Sequence, residues 1–377
     1  MVARKQLILY AGLRLYKFGK RYYYLNNWYD FISELADHYK LILIAPIKIV
    51  QEIDEKEYFS QFNPKAEVFE IADFGETWFG FYRNLTFFQF LKGKLVKTIQ
   101  KSDLIFLRVP SPGHIFIQVL SMLLRKKMGI FVCGSTYTQN RYVKDGNQFL
   151  NCLFKLHKIL HASFYQFSKI NFVYNKFLAE EIKIANFYYW STPLNLSVDK
   201  GKTKLGQPVQ FVRICKSEAS KQVLELISWY NNYSTKIDYK STLNLILASK
   251  DQNYMVKIRN AVNRSPKSSN VTIETDLPNK ELLAKLRKFH IHLVNSSAEG
   301  FPRVITETAA CGIPTLLLNN ELHNDPRLGA VCHAEEDFNC YLKLTNNYQE
   351  YSQMALQFAL NNTLEKCISR FKKIINL

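Results

Sequence analysis

Short apolar runs separated by amphipathic stretches recur along this chain, and their alternation predicts strands and helices in turn. Gln6 to Tyr10 is apolar and brief enough for one buried strand, and a loop holding Gly12 and Gly19 follows. Trp28 to His38 has helical spacing, and Leu41 to Pro46 is a second apolar run. Asp103 to Val109 reads as a strand closed by Pro110-Ser111-Pro112-Gly113, with a helix over Ile115 to Leu124 and a strand over Gly129 to Cys133. Residues 148–168 have helical character, Asn171 to Tyr174 is a strand and Lys176 to Ile184 a helix. Such alternation implies a parallel sheet with right-handed crossovers. Residues 191–208 have the composition of a linker, and a second series starts at Val209. It continues through Leu243 to Ala248, Val271 to Glu274, Ile291 to Val294 and Thr315 to Leu318, and ends in Tyr348 to Ile375, helical throughout. No internal repeat or low-complexity tract interrupts the pattern.

With 377 residues, 47% of them apolar, the chain can build more than one core. Its seven cysteines (Cys133, Cys152, Cys215, Cys311, Cys332, Cys340 and Cys367) are scattered without a C-x-x-C pair. That distribution suits reduced thiols in a cytoplasm better than a disulfide frame or a zinc site. The first apolar run, Leu7 to Leu13, is cut by Arg14, which is unlike a secretory signal. No stretch approaches the roughly 20 apolar residues of a membrane span.

Charge changes the picture. The net charge is +18, and it is unevenly spread. Between Thr77 and Ala179 the only acids are Asp103 and Asp145, against 15 lysines and arginines. Aromatic side chains are interleaved, among them Trp78, Phe79, Phe81, Tyr82, Phe149, Phe154, Phe164 and Phe167. Bases beside rings suit an anionic membrane surface, where each cation adds about 1 kcal/mol. They also suit nucleic acid, but no zinc-finger spacing or aromatic RNA-binding strand is present, so no nucleic acid is expected. Taken singly, the rings are equally at home in a core.

Candidate chemistry concentrates in Ser296-Ser297-Ala298-Glu299-Gly300-Phe301-Pro302-Arg303-Val304-Ile305-Thr306-Glu307-Thr308-Ala309-Ala310-Cys311-Gly312-Ile313-Pro314. Glu299 falls in the loop after the strand Ile291 to Val294. Glu307 falls inside the helix over 303–311, which Gly312 and Pro314 end. Ligands of open α/β sheets bind at the C-terminal strand edge. Two carboxylates there suit a ligand rich in hydroxyls, because a carboxylate is purely an acceptor.

Glu-x7-Glu, with Gly-Phe-Pro after the first glutamate and Ala-Cys-Gly-x-Pro after the second, resembles the signature of the family-4 retaining glycosyltransferases. The resemblance is tight over about twenty residues and runs in order over roughly 207–345. It implies the α/β GT-B architecture, two Rossmann-like domains facing across a cleft. Residues 1–195 would bind the acceptor, 205–350 the nucleotide sugar, and 351–377 would cross back as a helix to the first domain. Glu299 would hold sugar hydroxyls and Glu307 ribose hydroxyls. The amides of Gly300 and Phe301 would approach sugar and phosphate, with Val304 and Ile305 packed near the ribose and phosphate.

Negative charge on the departing diphosphate needs a positive partner. The family has an arginine just after the first strand of its second domain and a lysine about five positions later. Arg213 and Lys221 are the first candidates by resemblance, and Lys216 the third. Departures from the pattern are Val212 for a glycine, Asn295 for a proline, Thr308 for an alanine, and Ala248-Ser249-Lys250-Asp251 for a glycine-rich turn. In the N-terminal half Gly12, Arg108 and Ser135 are acceptor-cleft candidates. His157 and His161 lie four apart on a helix but lack a third ligand, and no D-x-D pair occurs. No metal and no obligatory cofactor is expected, with a nucleotide sugar as substrate.

The expectation is therefore a retaining hexosyltransferase working on a lipid-linked or polysaccharide acceptor. It would sit at the cytoplasmic face of the membrane, in lipopolysaccharide, capsule or exopolysaccharide synthesis. The alternatives are a GT-B epimerase or phosphorylase, or a degenerate GT-B protein that binds membrane or nucleic acid through its basic face.

Overall fold

The computed structural model describes residues 4–25, 28–53, 60–73, 93–111, 113–133, 165, 167–174, 176–181, 183–191, 193–194, 197–199, 204–234, 240–296, 303–318 and 337–376. They form two compact units, Met1–Pro193 joined by Leu364–Leu377, and Leu194–Thr363.

In the first unit the strands are β1 (Gln6–Tyr10), β2 (Leu15–Phe18), β3 (Arg21–Tyr24), β4 (Lys40–Ile49), β5 (Ser60–Gln61), β6 (Glu67–Ala72), β7 (Leu104–Val109), β8 (Met128–Val132), β9 (Ile170–Val173) and β10 (Tyr188–Tyr189). Its helices are α1 (Trp28–His38), α2 (Gly93–Lys101), α3 (His114–Leu123) and α4 (Lys176–Glu181). Seven strands are parallel in the order β6-β4-β1-β7-β8-β9-β10. That is the doubly wound order, with its switch point between β1 and β7.

The loop expected around Gly12 and Gly19 is instead partly a hairpin. Strands β2 and β3 pair antiparallel, with Phe18 opposite Arg21 and Gly19 at φ 58° in the tight turn. Strand β2 continues the β1 edge of the ten-residue β4, since Leu15 faces Ile47 while Leu7 faces Leu41.

The second unit holds β11 (Val209–Lys216), α5 (Val223–Ser234), β12 (Ser241–Ala248), α6 (Gln252–Asn263), β13 (Val271–Thr275), α7 (Asn279–Leu286), β14 (Ile291–Val294), α8 (Arg303–Ala310), β15 (Thr315–Leu317), α9 (Asp337–Asn346) and α10 (Tyr348–Asn361). All its strands are parallel, in the order β13-β12-β11-β14-β15, and the switch point lies between β11 and β14. Alternation along β11 feeds two cores. Phe211 packs with Tyr230, Ile258 and Leu344, whereas Val212 packs with Ile246, Leu286, Phe289 and Ile313.

The tail is not one helix. α10 ends at Asn361, and α11 (Leu364–Ile375) belongs to the first unit, so the return begins at Leu364 and not at 351. Asn362 makes the break: its side-chain amide donates to the Phe358 carbonyl at 2.7 Å, competing with helix continuation. α11 then places Phe371 among Phe31, Phe106, Phe131, Phe172 and Trp190, with ring centroids 5.0 to 6.5 Å away. The ring of Phe106 occupies the space that a side chain at Gly129, its partner on β8, would need. Of the expected helix over 148–168, residues 148–164 and 166 lie outside the described residues.

Candidate nucleotide-sugar site

At the C-terminal strand edge of the second unit lies a hollow of about 440 Å³. The end of β11 contributes Ile214, Cys215 and Lys216, the following loop Glu218 and Lys221, and the end of β12 Ile246 to Ala248. Asp276 and Leu277 come from the β13–α7 connection, Leu282 from α7, and Arg303, Val304 and Glu307 from the start of α8. Its size is that of a small-molecule site, and an apolar floor with a few convergent charges is the usual composition.

The loops around it are tied down. Ser217 is buried, and its hydroxyl accepts from the amides of Lys250 (2.9 Å) and Asp251 (3.1 Å), which joins the β11 and β12 loops. Asp276 accepts from the Ser249 amide at 2.7 Å. Lys250 pairs with Glu218 at 3.2 Å. Glu307 is buried on α8, and its Oε1 takes Arg303 Nε at 2.9 Å across one helical turn. The remaining lone pairs of that carboxylate can accept further donors. α8 ends where Gly312 takes φ 68°, with its amide and that of Ile313 returned to the Ala309 and Thr308 carbonyls.

Arg213 departs from its expected place. It lies three residues before the end of the strand, so its side chain belongs to a sheet face and not to the loop. It is 0% exposed and does not line the hollow. Its guanidinium donates to the Leu293 carbonyl (3.3 Å), the Lys221 carbonyl (3.3 Å) and Ser296 Oγ (2.8 Å). Asn295 Nδ2 completes the bracket by donating to the Gln222 carbonyl at 2.5 Å. Beneath it His292 is fully buried, its Nδ1 3.1 Å from Thr315 Oγ1 and 3.4 Å from Thr308 Oγ1. Burial, then the Arg213 charge, hold the His292 pKa well below the usual histidine range. Two of the departures from the family pattern, Asn295 and Thr308, therefore lie in the interior around Arg213 and His292.

Lys216 is exposed at the strand end, five positions before Lys221, and both line the hollow. The pair that faces the hollow across five positions is thus two lysines. Val304 lines the hollow, whereas Ile305, one residue on, is 2% exposed in the core and does not. Glu299, Gly300, Phe301 and Ser135 lie outside the described residues, as do His157 and His161. In the first unit Gly12 follows β1 at φ 64° and Arg108 stands near the end of β7, so both lie at that sheet's switch point.

Among the described residues no group of three His, Cys, Asp or Glu could hold a metal ion. No helix among them is long and apolar enough to cross a membrane. Of the basic excess, Arg125, Lys126, Lys127 and Lys169 border a second hollow with Met122, Phe167 and Tyr188. This hollow lies at the N-terminal ends of β8 and β9. Sequence reasoning did not find it, although the run Arg125-Lys126-Lys127 marked the spot.

No protein-family model matches the chain, and no curated protein sequence does. Solved structures do. The apo form of the lipopolysaccharide outer core galactosyltransferase WaaB matches with TM-score 0.65 at 12% identity, over 98% of this chain and 99% of that one. The trehalose 6-phosphate synthase of Burkholderia multivorans matches with TM-score 0.67 at 11% identity, over 98% and 96%. Anabaena Alr3699/HepE in complex with UDP matches with TM-score 0.60 at 12% identity, over 99% of both chains. At such identity the likeness establishes the fold: this is a GT-B chain of two Rossmann-like units.

The division between bracket and hollow has a measurable consequence. Arg213→Ala leaves two carbonyls and a buried hydroxyl without their donor, and is expected to destabilise the chain by about 2–4 kcal/mol. Lys216→Ala, at an exposed position, is expected to stay within about 0.5 kcal/mol of wild type. Denaturant unfolding of both variants reads the contrast, and equal losses would refute the assignment.

Proposed function

We propose that the chain is a retaining glycosyltransferase that moves a hexose from a nucleotide sugar to a saccharide or lipid-linked acceptor. The observation that carries this reading is the convergence of Lys216, Lys221 and Glu307 on one hollow at the switch point of the second unit. Nucleotide and sugar bind there, and the first unit, residues 1–195, receives the acceptor. Glu307 accepts hydrogen bonds from ribose hydroxyls, and Glu299 does the same for the sugar. Lys216 and Lys221 neutralise the diphosphate, most strongly as its bond to the anomeric carbon breaks and charge accumulates on it. Amides at the start of α8, with those of Gly300 and Phe301, add partial positive charge on the same side. In the reaction the anomeric carbon–phosphate oxygen bond breaks, the acceptor oxygen bonds to the same face of that carbon, and its proton passes to the departing phosphate. No protein group has to act as the base, and Arg213 serves by holding the two loops that carry the lysines and the glutamates.

UDP is the first nucleotide to try, since HepE was solved with it. The likeness to a lipopolysaccharide galactosyltransferase supports an acceptor in cell-surface polysaccharide synthesis. An anionic bilayer on the cytoplasmic side suits the second hollow, where Phe167 is 59% exposed beside Arg125 and Lys169. Sedimentation with phosphatidylglycerol vesicles is expected, and sedimentation with phosphatidylcholine alone is not. Equal pelleting with both, or with neither, removes the membrane from this reading.

A panel of nucleoside diphosphates and nucleotide sugars, read by thermal unfolding, tests the donor site. At 100 times its dissociation constant one of them should stabilise the protein by about 2.7 kcal/mol. Lys216→Ala and Glu307→Ala should lose most of that shift. A folded wild type that responds to none of them contradicts the reading. Turnover of the donor with no acceptor present would favour an epimerase.

A further inference from the structure

Arg303, four residues before Glu307, is the first residue of α8 and fills a position that the Glu-x7-Glu pattern leaves open. Its side chain is 44% exposed, and its Nε stands 2.9 Å from Oε1 of Glu307, a side chain only 7% exposed. Stability does not account for a cation at that place. A helix start is already partly positive and disfavours one, and α8 has no acid in its first turn to offset it. Arginine before glutamate is also the weaker order for a pair four apart, and a pair with one partner so exposed contributes little.

Location does account for it. Lys216 comes from the end of β11, Lys221 from the loop after it and Arg303 from α8, and all three line one hollow. The carboxylates of that hollow have partners of their own. Glu307 takes Arg303, Glu218 takes Lys250 at 3.2 Å, and Asp276 takes the Ser249 amide at 2.7 Å. Like charges gathered at one cavity repel, and an anion with several oxygens among them removes the repulsion. The form of the contact points the same way. A guanidinium is a planar fork of five N–H donors, and Glu307 meets it at Nε, which leaves the Nη groups for two oxygens of one ligand. Among the described residues no other carboxylate pairs with it. The buried carboxylate restrains the fork in advance, which lowers the ordering cost of a ligand that uses it.

We propose that Arg303 is a third cation of the donor site and takes the diphosphate of the nucleotide sugar, its Nη groups bonding phosphate oxygens while Glu307 keeps Nε. This rests on the reading of the hollow as the donor site. Glu307 then serves twice, on ribose hydroxyls and on the arginine that meets the diphosphate, so one ion pair reads two parts of the nucleotide. Arg303 touches the leaving group, on which charge grows as the bond to the sugar breaks.

Calorimetry with inorganic pyrophosphate, UDP and 2′-deoxy-UDP tests this on wild type, Arg303→Gln and Arg303→Lys. Lys257→Gln is the control, since it removes the same charge from an exposed position on α6. Arg303→Gln should weaken pyrophosphate and UDP at least about tenfold, the loss of a charged, two-point contact. Arg303→Lys should recover only part of it. UDP and 2′-deoxy-UDP should weaken by the same factor, because Glu307 still takes the ribose. A loss for UDP with pyrophosphate unchanged would mean that Arg303 acts only by placing Glu307, and overturns the proposal. Unchanged binding by Arg303→Gln overturns it too, as does an equal loss in Lys257→Gln, which would leave net charge as the cause. Should another nucleoside diphosphate bind in place of UDP, the same comparison is made with it. Pyrophosphate binding that depends on Arg303, in a protein that takes no nucleoside diphosphate, would remove the nucleotide reading and keep the anion site. A wild type that binds neither contradicts both.

Discussion

The buried guanidinium of Arg213 is the constraint on which the second unit's ligand edge depends. Among the described residues no carboxylate pairs with it; the Leu293 and Lys221 carbonyls and the Ser296 hydroxyl hold it instead. A parallel sheet leaves the connections at its C-terminal edge free to diverge at the switch point, since β11 and β14 are joined there to helices that run to different places. One cation bonded to the Leu293 and Lys221 carbonyls and to Ser296 holds those connections at a fixed separation. Ser217 does the same work between β11 and β12. The consequence is that Lys216, Lys221 and Glu307 meet across one hollow, although 91 positions separate the first from the last.

Burying a charge is costly unless its hydrogen bonds are met, and most of those of Arg213 are. The neighbouring His292 is accordingly kept neutral, by burial first and by the Arg213 charge second. Thr308 and Thr315 supply the polar contacts that a neutral imidazole can use. This explains why Thr308 stands where an alanine was anticipated: alanine offers nothing to His292. The same reasoning covers Asn295, whose amide reaches the Gln222 carbonyl where a proline could not.

Much of this was legible in the sequence, for a physical reason. Fully buried parallel strands are continuous apolar runs, so Gln6 to Tyr10, Ile291 to Val294 and Thr315 to Leu317 announce themselves. The β2–β3 hairpin was missed because its tyrosines and lysines have no buried face on both sides, although Gly19-Lys20 between two aromatic runs is a tight-turn signal. The break at Asn362 was hidden because a side chain that competes for a backbone carbonyl looks, in a list of residues, like any polar helical position. Arg213 was taken as a diphosphate partner from the resemblance, and the structure puts it on a buried face of the sheet, away from the hollow. Its place within Phe211-Val212-Arg213-Ile214-Cys215 already argued for a sheet face, and Lys216 already had the spacing to Lys221.

The central claim is that a nucleotide binds the second unit at the C-terminal edge of its sheet. Hydrogen exchange of the full chain, with and without UDP or whichever nucleoside diphosphate binds, tests this without any assumption about the acceptor. Slowed exchange is predicted at the amides of 214–222, 248–251, 276–277 and 303–307, with those near the N-terminal ends of β8 and β9 unchanged. Slowed exchange confined to the first unit, or to the N-terminal edge of either sheet, would contradict the account.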